Sequence, residues 1–281
     1  NKQVPAGEPT LSATNIDYGQ TISDIEITGT MKVGETVVPG TFTWNEPNLV
    51  LSAGGWNAPW TFTPDNTDDY EIVPGSALIT VNKVEVTVTA PTANTLTYTG
   101  QAQTLLTAGT AKGGQMVYSL DLNGTYTYTI PTGTTAGSYT VWYKVDPDSN
   151  HTGTQPEPVT VTIAQAKAPA STQGSLTVVN ERAETLTLDL AKLLPTLAEG
   201  CDFGTVTYGD PTVKLTRGYY TEGAAVDVKG LLTLPVNAVN STKEGAVGTV
   251  TVTVTTTNYE AFTLTVNVSA RNKGTPTGDP T

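Results

Sequence analysis

The stretch "SYTVWYKVDPDSNHTGTQPEPVTVTI", Ser138–Ile163, holds two alternating apolar runs on either side of a polar segment. That segment, Asp146-Pro147-Asp148-Ser149-Asn150-His151, brings closely spaced oxygen donors together with the only histidine of the chain. Period-two alternation puts apolar side chains on one face of a strand and polar ones on the other. The pattern therefore reads as two strands joined by a turn. The same alternation recurs in "VEVTVTA" (Val84–Ala90), "LTLDL" (Leu186–Leu190), "VTVTVT" (Val250–Thr255) and "FTLTVNV" (Phe262–Val268). Gly, Pro, Asn and Asp clusters interrupt these runs at intervals typical of sandwiches and barrels. Helical periodicity is nearly absent; only "DLAKLLPTL" (Asp189–Leu197) predicts a turn or two, capped by Asp189 and stopped by Pro195.

Composition supports the same class. Threonine is over-used and Val accompanies it; both are β-branched and suit a pleated surface. Charged residues make up only 14% of the 281, so polarity rests on Thr, Ser and Asn. The net charge is -12 and the pI near 4.4, which argues against a nucleic-acid binder and against an electrostatic grip on anionic lipid. A single cysteine, Cys201, excludes an internal disulfide, and a buried small hydrophobe is its preferred reading. No run approaches a membrane span. Both ends, "NKQVPAGEPT" and "RNKGTPTGDPT", read as linker, so the chain is expected to be a segment of something longer.

The chain repeats itself. "DYGQTI" (Asp17–Ile22) and "TYTGQAQTL" (Thr97–Leu105) each open a unit with an aromatic and a Gly-Gln pair. A middle strand follows in each, and a long hairpin closes it. An Asn near an aromatic or His marks each closing turn: Asn66 before Tyr70, Asn150-His151 and Asn258-Tyr259. Such repetition signals an array of modules. The expected organisation is all-β, three tandem immunoglobulin-like β-sandwiches: residues 1–83, 84–167 and a longer 168–273, followed by a linker over 274–281.

"TYTGQAQTLL" (97–106), "IPTGTTAGSYTVWYKVDPDSNH" (130–151) and "PVTVTIAQAK" (158–167) resemble the MBG-type and related immunoglobulin-like repeats of surface proteins from Gram-positive gut bacteria. The resemblance is centred on the second unit and extends to the first, while the third is generically immunoglobulin- or cadherin-like. It implies an exported, cell-wall-associated protein whose modules act as spacers or adhesive units. A glycan or protein on a host or neighbouring cell would then be the partner, and the chain would be a monomer.

Candidate sites are few. Asp146, Asp148 and Asn150 could offer oxygens to calcium, as could Asp65 and Asp68 in the matching turn of the first unit. Asx side chains also close turns on their own backbone, and that reading is preferred. Trp44, Trp56 and Trp60 fall close together. Trp56 follows two glycines in a loop and could stack on a sugar, whereas Trp44 and Trp60 alternate with Phe42 and Phe62, so core packing is preferred for them. No phosphate loop, dinucleotide motif or Cys/His metal spacing occurs. The chain is expected to be a non-enzymatic stalk or adhesin segment needing no cofactor. The alternative is a carbohydrate-binding region of an exported enzyme.

Overall fold

The computed structural model describes residues 1–274. The expected linker over 274–281 lies outside the described residues from 275 onward. The chain is all-β and forms three tandem immunoglobulin-like sandwiches. The only helical segments among the described residues are two short 3-10 turns, Ile22–Asp24 and Leu190–Leu193. Asp189 caps the second by accepting from the Ala191 N–H at 3.0 Å, as its position before "LAKL" predicts.

The chain divides into two compact units. The first comprises Asn1–Thr92, Leu106–Ile130 and Val141–Val159; the second comprises Ala93–Leu105, Pro131–Thr140 and the chain from Thr160 onward. The second sandwich thus contributes to both.

In the first unit, Gly54–Pro64 and Val73–Asn82 form a long antiparallel hairpin. Gly40–Trp44 pairs with the first arm, and short Asn15–Asp17 runs parallel to the second. Across from this sheet lie Pro9–Leu11 paired with Ile27–Gly29, and the hairpin Met31–Val33/Thr36–Val38. Alternation turns Ala58, Trp60 and Phe62 inward against Phe42, Ile79 and Val81, all buried. Each large side chain so buried contributes about 1.5–3 kcal/mol. Phe42 meets Phe62 at 4.9 Å and Trp60 at 5.3 Å between ring centroids. The Trp60 indole lies over Gly75, its partner across the hairpin, where a Cβ would sit 2.1 Å from the ring.

The second sandwich repeats the arrangement. Its sheet runs in the order Leu96–Thr97, Glu157–Ala164, Gly137–Pro147, Gly114–Ser119, with the short first strand again parallel to its neighbour.

The third sandwich, in the second unit, is larger. Gly174–Val179 runs parallel to Phe262–Arg271, which forms a hairpin with Gly245–Thr256. Val206–Tyr208 and Thr212–Leu215 both pair with the first hairpin arm. The opposing layer is Glu184–Asp189, Leu231–Val236, Ala225–Val226. Val250, Val252, Val254, Leu264, Val266 and Val268 from one layer close on Leu232, Leu234 and Val236 from the other. Outward positions on the hairpin are Thr251, Thr253, Thr263 and Thr265, opposite one another in register.

One backbone detail recurs. The first arm of each long hairpin opens on a glycine with positive φ: Gly54 (135°), Gly137 (149°) and Gly245 (111°). Nothing lies within 4 Å of a Cβ built there. Conformation, not space, selects glycine at this corner.

Candidate functional site

The closing turn of the second sandwich seals a joint. Within the first unit, the Asn150 side-chain oxygen accepts the Ala53 N–H at 2.9 Å, just before the Gly54 corner of the first sandwich. His151 pairs in parallel register with Val84, whose N–H donates to the Asn150 carbonyl at 3.2 Å. The His151 ring meets Tyr18 edge-on at 5.4 Å. Asp148 holds the turn from below: its carboxylate lies 2.6 Å from His151 Nδ1 and accepts the Asn150 N–H at 2.8 Å. These bonds, the His151 contact first, hold the Asp148 carboxyl below its ordinary pKa. A Cβ at Gly113, where φ is 92°, would fall 2.4 Å from the His151 ring. Glycine is what allows the ring to lie flat against that backbone.

The second unit holds the same joint between the second and third sandwiches. The Asn258 side-chain oxygen accepts the Ala136 N–H at 2.9 Å, just before the Gly137 corner. The Ala166 N–H donates to the Asn258 carbonyl at 3.0 Å, and Tyr259 meets Tyr98 edge-on at 5.4 Å. Position for position, Ala136 matches Ala53, Tyr98 matches Tyr18, Ala166 matches Val84 and Tyr259 matches His151.

This second joint is the tighter one. Asn258 is 2% exposed and Ala136 8%, whereas Asn150 and Ala53 are half-buried. Asn258 also donates to Asp202, at 2.9 Å to the carboxylate and 3.2 Å to the carbonyl. The Tyr98 hydroxyl accepts the Asp202 N–H at 2.9 Å, and the Cys201 thiol points at the Thr99 carbonyl at 3.3 Å. Cys201 is half-buried, a small clasp in the joint. Burial, then contact with the Cys201 thiol, pushes the Tyr259 hydroxyl up to about 12.

The register corrects one expectation about the repeats. In the first sandwich Gln3 pairs with Tyr70, and its N–H donates to the Asp69 carbonyl at 2.8 Å. The counterpart of Asn150-His151 and Asn258-Tyr259 is therefore Asp69-Tyr70. Asn66 serves the turn instead, accepting the Asp68 and Asp69 N–H groups and donating to the Asp69 carboxylate.

The other candidates fall as follows. Asp146 accepts the Tyr128 hydroxyl, while Asp148 and Asn150 serve the joint. Asp65 and Asp68 are exposed in their turn. Among the described residues no group of three His, Cys, Asp or Glu side chains is placed to hold a metal ion. Trp44 and Trp60 are core residues, 8% and 3% exposed. Trp44 donates its ring N–H to the Ile25 carbonyl at 2.8 Å, while the buried Trp60 N–H has no partner. Core packing thus removes both from any sugar platform. Trp56 is 41% exposed, with its N–H bound to the Ser52 carbonyl at 2.7 Å.

One feature sets the second sandwich apart from the first. Between its middle strand and its long hairpin the chain takes seventeen residues, 120–136, where the first sandwich takes nine, 45–53. The longer segment returns along the Gly114–Ser119 edge, with Tyr118 and Thr127 exchanging backbone hydrogen bonds at 2.7 and 2.9 Å. It carries Tyr126 and Tyr128 onto the outer face of the sheet. Lys144 places its ammonium 4.4 Å from the centre of the Tyr126 ring. The Tyr128 hydroxyl donates to the Asp146 carboxylate, which raises the phenol pKa. Together with Val117 and Gly124 these side chains line a recess of about 310 Å³.

No protein-family model matches the sequence, and no curated protein matches it. Among solved structures the chain is similar to mouse cadherin-23 EC22-24, at 13% identity and a TM-score of 0.31, covering 94% of this chain and 98% of that one. It is also similar to Sidekick-1 immunoglobulin domains 1-5, at 10% identity and a TM-score of 0.33, covering 94% and 59%. A third likeness is to the fibronectin(III)-like modules of Clostridium thermocellum CbhA, at 14% identity and a TM-score of 0.22, covering 56% and 95%. Among the described residues no helix is long and apolar enough to cross a membrane.

Proposed function

We propose that this chain is a non-enzymatic, extracellular stalk or adhesin segment of a bacterial surface protein, built from MBG-like immunoglobulin modules. The observation that carries this reading is the joint made twice from matching positions. In each, an Asx side chain on the downstream closing turn accepts a backbone N–H at the upstream glycine corner, and an aromatic ring seats on an upstream tyrosine. A flexible linker would leave its backbone groups to water. Here the upstream corner amides are satisfied across the seam by Asn side chains, and the connecting backbone pairs in short parallel register with the downstream closing turn. Such seams transmit orientation from one module to the next, which is what a spacer requires and a catalyst does not. Acidity and the scarcity of lysine and arginine suit a surface that resists non-specific association.

Backbone relaxation measured by NMR on the whole chain tests the role. The modules flanking each joint should share one rotational correlation time. Paired substitutions Asn150→Ala and Asn258→Ala should split them. Independent tumbling of the modules in the unsubstituted chain would rule out the stalk reading.

A further inference from the structure

We propose that the recess beneath Tyr126 and Tyr128 is a binding site for a hexopyranosyl unit of a neutral glycan. The site goes beyond spacing: it sits on a segment that the first sandwich lacks, and no joint uses it. Tyr128 is 60% exposed, yet its ring is not free, because its hydroxyl is tied to Asp146 at 2.5 Å. A large aromatic face held open to solvent by a hydrogen bond is ready to stack without loss of rotamer freedom. Tyr126 is half-buried and forms the other wall. The floor is Val117, which alternation would point to solvent but which is 3% exposed beneath the returning segment.

The polar groups select the ligand. Lys144 and Asp146 are two residues apart on one strand and face the same side, about 7 Å apart. One offers only donors and the other, ionised, only acceptors. A sugar ring presents the matching surface: an apolar C–H face for the Tyr128 ring, and hydroxyls that accept from the ammonium and donate to the carboxylate. Trp142 lies on the same outer face, two residues before Lys144. An acidic glycan fits less well, because Asp146 lies at the rim and the chain carries a net charge of -12.

The test is an array of neutral oligosaccharides ending in glucose, galactose, mannose or N-acetylglucosamine, probed with the whole chain and followed by titration calorimetry on the best binder. Tyr128→Ala and Asp146→Ala should each weaken binding at least tenfold. Tyr128→Phe, which keeps the ring and loses its tether, should weaken it a few-fold, and Trp56→Ala should leave it unchanged. Circular dichroism and the joint measurements above should be unaltered in all four, so failure here is separable from failure of the stalk reading. The proposal is overturned by silence across the neutral array, by binding that survives both alanine substitutions, or by binding confined to acidic glycans or to peptides.

Discussion

Removing the Asn258 side chain should open the joint between the second and third sandwiches, and the size of the effect follows from its bonds. Asn258→Ala strips the acceptor from the Ala136 N–H, a donor on a residue only 8% exposed. A buried donor left unsatisfied costs about 1–3 kcal/mol. The same substitution loses two donations to Asp202, one of them to a carboxylate. Each is worth about 1 kcal/mol, somewhat more to the charged oxygen. The low end of that sum is about 3 kcal/mol, or roughly two decades in the opening equilibrium. Amide hydrogen exchange at Ala136, under conditions where the rate follows that equilibrium, should accelerate about a hundredfold. Asn150→Ala is the internal control. It loses a single bond between half-buried partners, so the Ala53 amide should accelerate only about five- to tenfold. If Ala136 exchange is unchanged in Asn258→Ala, or if Asn150→Ala has the larger effect, the joint is not held as described.

Three further outcomes are expected. Trp44→Phe should destabilise the first sandwich more than Trp60→Phe, by about 1–2 kcal/mol in urea unfolding, because only the first leaves the buried Ile25 carbonyl without its donor while the second removes an N–H that has no partner; equal losses would contradict this. Gly113→Ala forces a Cβ into the His151 ring at a positive φ and should shift the first joint by about 1–3 kcal/mol, read as faster Ala53 exchange with the third sandwich unaffected. Tyr259, whose pKa is raised from 10.0 to about 12 first by burial, holds its stabilising neutral form fully below pH 10 and loses it as pH rises toward 12. The second joint should therefore loosen in that alkaline window, tracked by tyrosinate absorbance, and the step should vanish in Tyr259→Phe.

The strands were legible because their signal is local. Val250–Thr255 alternates within six residues, and Asp189 stands one residue before the turn it caps. Burial of Trp44 and Trp60 could be read from their spacing to Phe42 and Phe62. The joints could not be read in the same way. Asn150 and Asn258 stood out as turn residues, but their acceptor oxygens meet N–H groups 97 and 122 positions upstream. Asn66 looked equivalent by proximity to an aromatic; parallel register, which no single sequence displays, gives that place to Asp69. The recess around Tyr128 is hidden in the sequence for the opposite reason. "TYTYTI" (Thr125–Ile130) has the alternation of an ordinary strand, and only the extra length of 120–136 relative to 45–53 hinted at something added.

What both seams ask of the upstream partner is small: one amide beside a glycine bend, and one phenol ring. Whole cassettes that keep these two features could be duplicated or excised by recombination without a new fitting being invented. The third sandwich shows what ends such a grammar. Where Tyr18 and Tyr98 stand in the others it places Asn180, wholly buried and tied to Tyr219, Lys243 and Asn272, and where Ala53 and Ala136 stand it places Glu244, whose carboxylate takes the Asn272 N–H. The ring position is plugged from within, so a neighbour docking by the shared rule would find no ring to grasp.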